Sequence, residues 1–198
     1  LAMTYAMDYR YAGSPETQRV DRLRAFWETI CASPVEWPVN DGLTAGLPFT
    51  MDLRSVHNIA AATRALMIGQ NGFFKPRFPP PFLSMFSGDA ATSFYDTAPL
   101  RDTLEQLVDF DLLNSGDVRV SVGAVNIRAG NLVYFDTAQR RLRAEHFMAS
   151  GALPPGFPAI EIDGEYYWDG GMVSNTPLAR ILTDAPRRDT LTFPVYLW

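Results

Sequence analysis

The apolar residues Val20, Leu23, Phe26, Trp27 and Ile30 recur at the spacing of one helical face, opposite Arg19, Asp21, Arg22 and Arg24. That spacing predicts an amphipathic helix from Thr17 to about Ile30. A second helix is predicted over Leu53 to Ile68, stopped by Gly69 and Asn71-Gly72. Asp96-Thr97-Ala98-Pro99 carries a cap residue and a first-turn proline, and Leu100, Leu104, Leu107 and Val108 follow at helical spacing. A third helix is therefore expected from Leu100 to about Phe110. The period then changes. Val118 to Val125 and Leu132 to Phe135, on either side of Ala129-Gly130-Asn131, read as a hairpin. A short helix near Ala144 to Met148 leads into the small residues Ala149 to Ala152. Ile160-Glu161-Ile162 and Tyr166-Tyr167-Trp168 form a second hairpin about Asp163-Gly164, a favoured tight-turn pair. Pro177 opens a helix to about Leu182, and Leu191 to Trp198 reads as a last strand. Helices mixed with strands indicate an α/β domain.

Two stretches break the pattern. Pro34 to Pro48 is rich in Pro, Gly and Asn and reads as a loop. Gly72 to Gly88 interleaves Phe73, Phe74, Phe78, Phe82 and Phe86 with Pro76, Pro79, Pro80 and Pro81, and three consecutive prolines exclude helix and interior strand. Such an aromatic loop is either packing beneath a proline-rich surface or an apolar path for an acyl chain, in which case Lys75 and Arg77 are placed to meet headgroups. The chain opens on Leu1 and closes on the apolar run Thr192 to Trp198, so both ends look cut and an internal segment of a longer protein is expected.

Composition narrows the function classes. The 198 residues fit one domain with a substantial core, and the 47% apolar and 20% charged fractions are ordinary for a globular protein. The net charge of −5 is spread without a basic stripe, which argues against nucleic acid as a partner. Cys31 is the single cysteine, so an intrachain disulfide is excluded. Two histidines and one cysteine do not make a structural zinc site, so no metal is expected, and no nucleotide fingerprint calls for a cofactor. No run approaches eighteen apolar residues.

The candidate chemistry lies at Tyr166-Tyr167-Trp168-Asp169-Gly170-Gly171. An aromatic strand ends on one carboxylate, and two glycines follow that leave the backbone free to turn and take positive φ. A strand end is where α/β folds place their chemistry. The bland alternative is a turn aspartate that bonds its own backbone. Asn175, Thr176 and Pro177 supply a helix start close behind, which staples the turn as a residue in fixed geometry requires.

The longer context carries a family resemblance. Ala149-Ser150-Gly151-Ala152-Leu153-Pro154-Pro155-Gly156-Phe157-Pro158, then Tyr167-Trp168-Asp169-Gly170-Gly171, then Ser174-Asn175-Thr176-Pro177-Leu178, resembles the C-terminal half of a bacterial patatin-like phospholipase domain. Upstream, Gly72-Phe73-Phe74, Phe94-Tyr95-Asp96, Leu107-Val108-Asp109-Phe110, Ser121-Val122-Gly123-Ala124-Val125-Asn126 and Tyr134-Phe135-Asp136 are similar to the same branch. The likeness is strongest over residues 72–198. It implies that residues 1–198 are one incomplete three-layer α/β/α domain of a protein that hydrolyses lipid acyl esters without a cofactor. It further implies a Ser–Asp dyad in which Asp169 is the base and Gly170 and Gly171 shape the turn. The chemistry is sound: a carboxylate hydrogen-bonded to a serine can take its proton as the serine attacks an ester carbonyl, and burial raises a carboxylate's basicity.

The nucleophile that the resemblance implies, a serine in Gly-x-Ser-x-Gly after a glycine-rich oxyanion loop, is not in this sequence. Ser121-Val122-Gly123 lacks the preceding glycine, and Ser150-Gly151 has the wrong spacing. The domain is therefore expected to be truncated at its N-terminus, with its C-terminus cut as well, and the 198 residues alone are expected to be inactive. Two alternatives stay open. Ser150 or Ser174, with His146 and Asp169, would make a local Ser–His–Asp triad. A non-catalytic lipid- or protein-binding module on the same scaffold would need no serine. A cytoplasmic protein that touches membranes peripherally is the expected setting.

Overall fold

The computed structural model describes residues 24–30, 53–78, 80–81, 93–116, 118–174, 178–183 and 191–192. Residues 24–30 form helix α1. Helix α2 spans Leu53–Ile68, the predicted range, and stops before Gly69 as expected. Gly69 ends it at φ 90°, with its N–H donating to Ala65 O at 2.9 Å. Strands β1 (Lys75–Pro76) and β2 (Tyr95–Asp96) then pair antiparallel. The first part of the aromatic stretch is thus not wholly irregular. Pro76, which has no N–H to give, lies in this two-stranded ladder, where edges are available. Phe82, Phe86 and the loop from Pro34 to Pro48 lie outside the described residues.

The predicted third helix is two. Helix α3 covers Ala98–Leu107 and helix α4 covers Phe110–Leu113, because Val108 turns extended and Asp109 restarts the helix. The Asp109 carboxylate accepts from the N–H groups of Asp111 and Leu112 at 3.1 and 3.0 Å, so an N-cap overrides an apolar spacing that runs straight through.

Both hairpins form. Strand β3 (Ser121–Asn126) pairs with β4 (Asn131–Asp136), and β5 (Ile160–Ile162) pairs with β6 (Glu165–Asp169) across Asp163 and Gly164 at φ 53° and 82°. Two positive φ values in succession are what a two-residue hairpin turn of type I′ requires. β3 also pairs with β6, which gives one antiparallel sheet in the order β4-β3-β6-β5. Helix α5 (Ala144–Ser150) packs against β3, β5 and β6, and α3 packs on α5. The core lies between them, with Leu104, Leu113, Ala124, Leu142, Ala149 and Ile162 almost fully buried. Phe26 joins it from α1, whereas its neighbour Trp27 is 54% exposed. A short helix α6 (Leu178–Leu182) closes the described order. Of the expected last strand only Leu191 and Thr192 are described, and neither is in a strand. Among the described residues no helix is long and apolar enough to cross a membrane.

Candidate active site

Asp169 is the last residue of β6, opposite Ala124 in the middle of β3. Its backbone N–H donates to Ala152 O at 3.1 Å, which ties the strand end to the small-residue segment after α5. The side chain is half-buried rather than desolvated. Its Oδ1 accepts from the Gly171 N–H at 2.7 Å and so caps a single 3-10 turn, Gly170–Met172. One oxygen therefore does what a turn aspartate does. The other, Oδ2, is uncommitted among the described residues.

The two glycines lie in the turn but not with the backbone conformation expected of them. Neither has positive φ. Gly170 instead lies against the backbone of β3, where an added Cβ would meet Gly123 O at 2.5 Å and Gly123 C at 2.7 Å. Glycine is needed at 170 for close approach, and that approach fixes how the chain leaves Asp169. The N–H groups of Val173 and Ser174 then donate to Gly170 O at 3.1 and 3.0 Å and close the turn. Asn175 to Pro177, expected to staple it, lie outside the described residues.

The local triad does not assemble. His146 is only 1% exposed, and its Nδ1 accepts from the Arg143 N–H at 3.0 Å at the start of α5. Its Nε2 is buried without a hydrogen-bond partner among the described residues. The ring packs edge-to-face with Phe135 at 4.7 Å. Neither nitrogen bonds Ser150, Ser174 or Asp169 among the described residues. Burial holds this imidazole below its ordinary value, with Arg143 and Arg140 nearby opposing its charged form and the Arg143 backbone contact and Glu145 favouring it. A buried neutral histidine at a helix start is a structural one here.

The aromatic stretch resolves in part. Phe74 packs on Tyr95 at 4.7 Å and on Phe157 at 5.4 Å, and Phe73 joins them at 5.4 Å from Phe74. Phe94 N and Tyr95 N donate to Pro155 O and Gly156 O, so this cluster and the Asp169 strand grip the same segment, 152–157, from two sides. Lys75 is paired with Asp96 at 3.2 Å, and Arg77 Nε donates to Ser93 Oγ and Tyr95 O. The two cations read as headgroup contacts are therefore both held within the chain. Phe78, by contrast, is 95% exposed.

A charge cluster that sequence reasoning did not single out lies on the adjoining strands. Asp136, at the end of β4 opposite Ser121, is fully buried. Its carboxylate accepts from Arg119 Nε at 2.9 Å to each oxygen, from Ser121 Oγ at 2.5 Å and from Ala138 N at 2.9 Å. Arg180 of α6 reaches the same Oδ2 at 3.1 Å. The Arg119 guanidinium foremost, with Ser121 and Ala138, holds this carboxyl well below the usual carboxylate range despite its burial. The pairing of Ser121 with Asp136 follows once the predicted strand ends Val125 and Leu132 are set opposite each other, as they are; the turn itself is residues 127–130, and Asn131 already belongs to β4. Arg180 carries no such signal. Among the described residues no group of three or more His, Cys, Asp or Glu gathers as a metal site.

Comparison with known proteins adds the family. No match was found among the curated proteins or the solved structures. The family profile of patatin-like phospholipase matches residues 4–182, which takes in both hairpins, Asp169 and the turn behind it. On a match of that span the chain belongs to the patatin-like phospholipase family, a family of lipid acyl hydrolases built on a three-layer α/β/α domain.

Proposed function

We propose that Asp169 is the general base of a Ser–Asp dyad in a protein that hydrolyses lipid acyl esters, with the serine on a part of the protein outside these 198 residues. The observation that carries this is the state of the Asp169 side chain. One oxygen is fixed by the Gly171 N–H, the backbone on either side is fixed by Ala152 and by the crowding at Gly170, and no described residue claims the second oxygen, which can then accept a proton. A base must be held in place and still have a lone pair to offer. In the reaction, Asp169 takes the serine proton as the hydroxyl oxygen bonds the ester carbonyl carbon. It then returns that proton to the departing alcohol. Water attacks the acyl-serine in the second half, again giving its proton to Asp169, which passes it to the serine oxygen as the fatty acid leaves.

Contact with a membrane surface belongs to the same proposal, supported by the exposed Phe78, and the cytoplasmic setting expected from the sequence is carried over with it. The binding-module reading is favoured by one fact, that no Gly-x-Ser-x-Gly occurs in the sequence. Turnover of a p-nitrophenyl acyl ester by the full-length protein separates the two. Asp169→Asn should lower kcat by roughly a hundredfold or more while the fold is retained. Undiminished turnover by that variant would remove Asp169 from the chemistry. Saturable fatty-acid binding with no turnover by the parent would favour the binding module.

A further inference from the structure

We propose that Arg180 and Asp136 act as a clamp that positions Asp169, an inference that rests on Asp169 being the base. The chain beyond Asp169 runs alongside β3 toward Ser121, since Gly170 abuts Gly123. Asp136 stands opposite Ser121, at the end toward which the turn leaves. Gly170 itself is held against Gly123, but beyond it the hydrogen bonds to Gly170 O are local, and the side chains of Met172 and Val173 are about half exposed, at 49% and 58%. Among the described residues, the β6–β3 pairing anchors the side before the turn, and on the side after it Arg180 joins α6 to the carboxylate of β4 and lies over the Tyr134 ring of the same strand at 5.6 Å.

The partners of Asp136 divide the labour. Arg119, Ser121 and Ala138 already satisfy both carboxylate oxygens and hold them still. The carboxylate is therefore neutralised and hydrogen-bonded without Arg180. What the Arg180 contact adds is a tie between β4 and the helix that follows the Asp169 turn. A guanidinium aimed at a rigid, fully buried acceptor sets a position more closely than a surface ion pair does, because only one partner is free to move. Displacing a base by about 1 Å costs on the order of a hundredfold in rate.

The test is steady-state kinetics on the full-length protein with a p-nitrophenyl acyl ester, run beside thermal melts. Arg180→Gln should lower kcat at least tenfold with KM nearly unchanged, and Arg180→Lys should recover part of the loss. Asp109→Ala, which removes the N-cap of α4, should lower Tm and leave kcat as it was. Wild-type kcat in Arg180→Gln, or losses in Arg180→Gln and Asp109→Ala that track their Tm alike, would overturn the clamp. Asp169→Asn in the same assay keeps the two ideas apart. If it is inactive while Arg180→Gln turns over normally, only the clamp fails; if it is fully active, the base assignment fails and the clamp with it.

Discussion

Replacing Gly170 by alanine tests the geometry that holds Asp169. The added Cβ would sit 2.5 Å from Gly123 O, where ordinary contact begins near 3.4 Å, so about 0.9 Å must be found. The obstruction is strand backbone, with Ala124 N a further contact at 3.2 Å, and no flexible side chain can swing aside. Either β6 slides from β3 beyond Trp168 or the turn lifts off the sheet. Overpacking of this kind costs about 1–3 kcal/mol. At about 2 kcal/mol, a domain of this size should lose roughly 4–8 °C in Tm. The displacement adjoins Asp169, so kcat should fall on the order of a hundredfold even where the protein is folded. Gly151→Ala is the matched control: Gly151 has ordinary φ of −116° and nothing within 4 Å of an added Cβ, so its Tm should move by less than about 2 °C, the usual tolerance of open sites. Differential scanning fluorimetry and ester turnover on the full-length protein measure both. Equal Tm and kcat in the two variants would refute the claim that Gly170 is there for close approach.

His146 and Asp136 give the fold two separate acid sensitivities. Burial lowers the folded-state value of His146 below an unfolded value near 6.5, so its contribution is whole above that pH and is lost as pH falls, at up to about 1.4 kcal/mol per pH unit. His146→Asn keeps an acceptor for the Arg143 N–H and cannot titrate, so urea melts should show a flatter stability profile between pH 7 and 5; equal slopes in both proteins would count against it. Asp136 is also lowered, by Arg119 first, so its contribution is present above an unfolded value near 3.9 and disappears at more acid pH. Asp136→Asn should cost about 3 kcal/mol at neutral pH, the low end for a broken buried pair because Arg119 can turn to water, and a loss under about 1 kcal/mol would show the cluster to be marginal.

What could be read from the sequence was set by local rules. The end of α2 follows from a glycine that takes φ 90°, and the β5–β6 hairpin follows from Asp163-Gly164, whose positive φ values few other pairs adopt. Asp169 at a strand end was legible for the same reason. The break at Val108 and Asp109 was not, because Leu104, Leu107 and Val108 continue the helical period and only the Asp109 side chain stops it. The reason for Gly170 was misread as backbone freedom, since a contact with Gly123, far back in the sequence, leaves no mark on the local pattern. The Asp136–Arg180 contact, between residues 44 apart in sequence, is illegible for the same cause. Packing decided these points, and local propensity did not.

The central claim is that Asp169 activates a serine elsewhere in the protein, and covalent labelling tests it most directly. The full-length protein would be treated with a serine-directed fluorophosphonate and the labelled residue found by peptide mass mapping. The account predicts a label on a Gly-x-Ser-x-Gly serine outside the 198 residues, with the labelling rate reduced roughly a hundredfold by Asp169→Asn. A label on Ser150 or Ser174, or an unchanged rate in the variant, would contradict it.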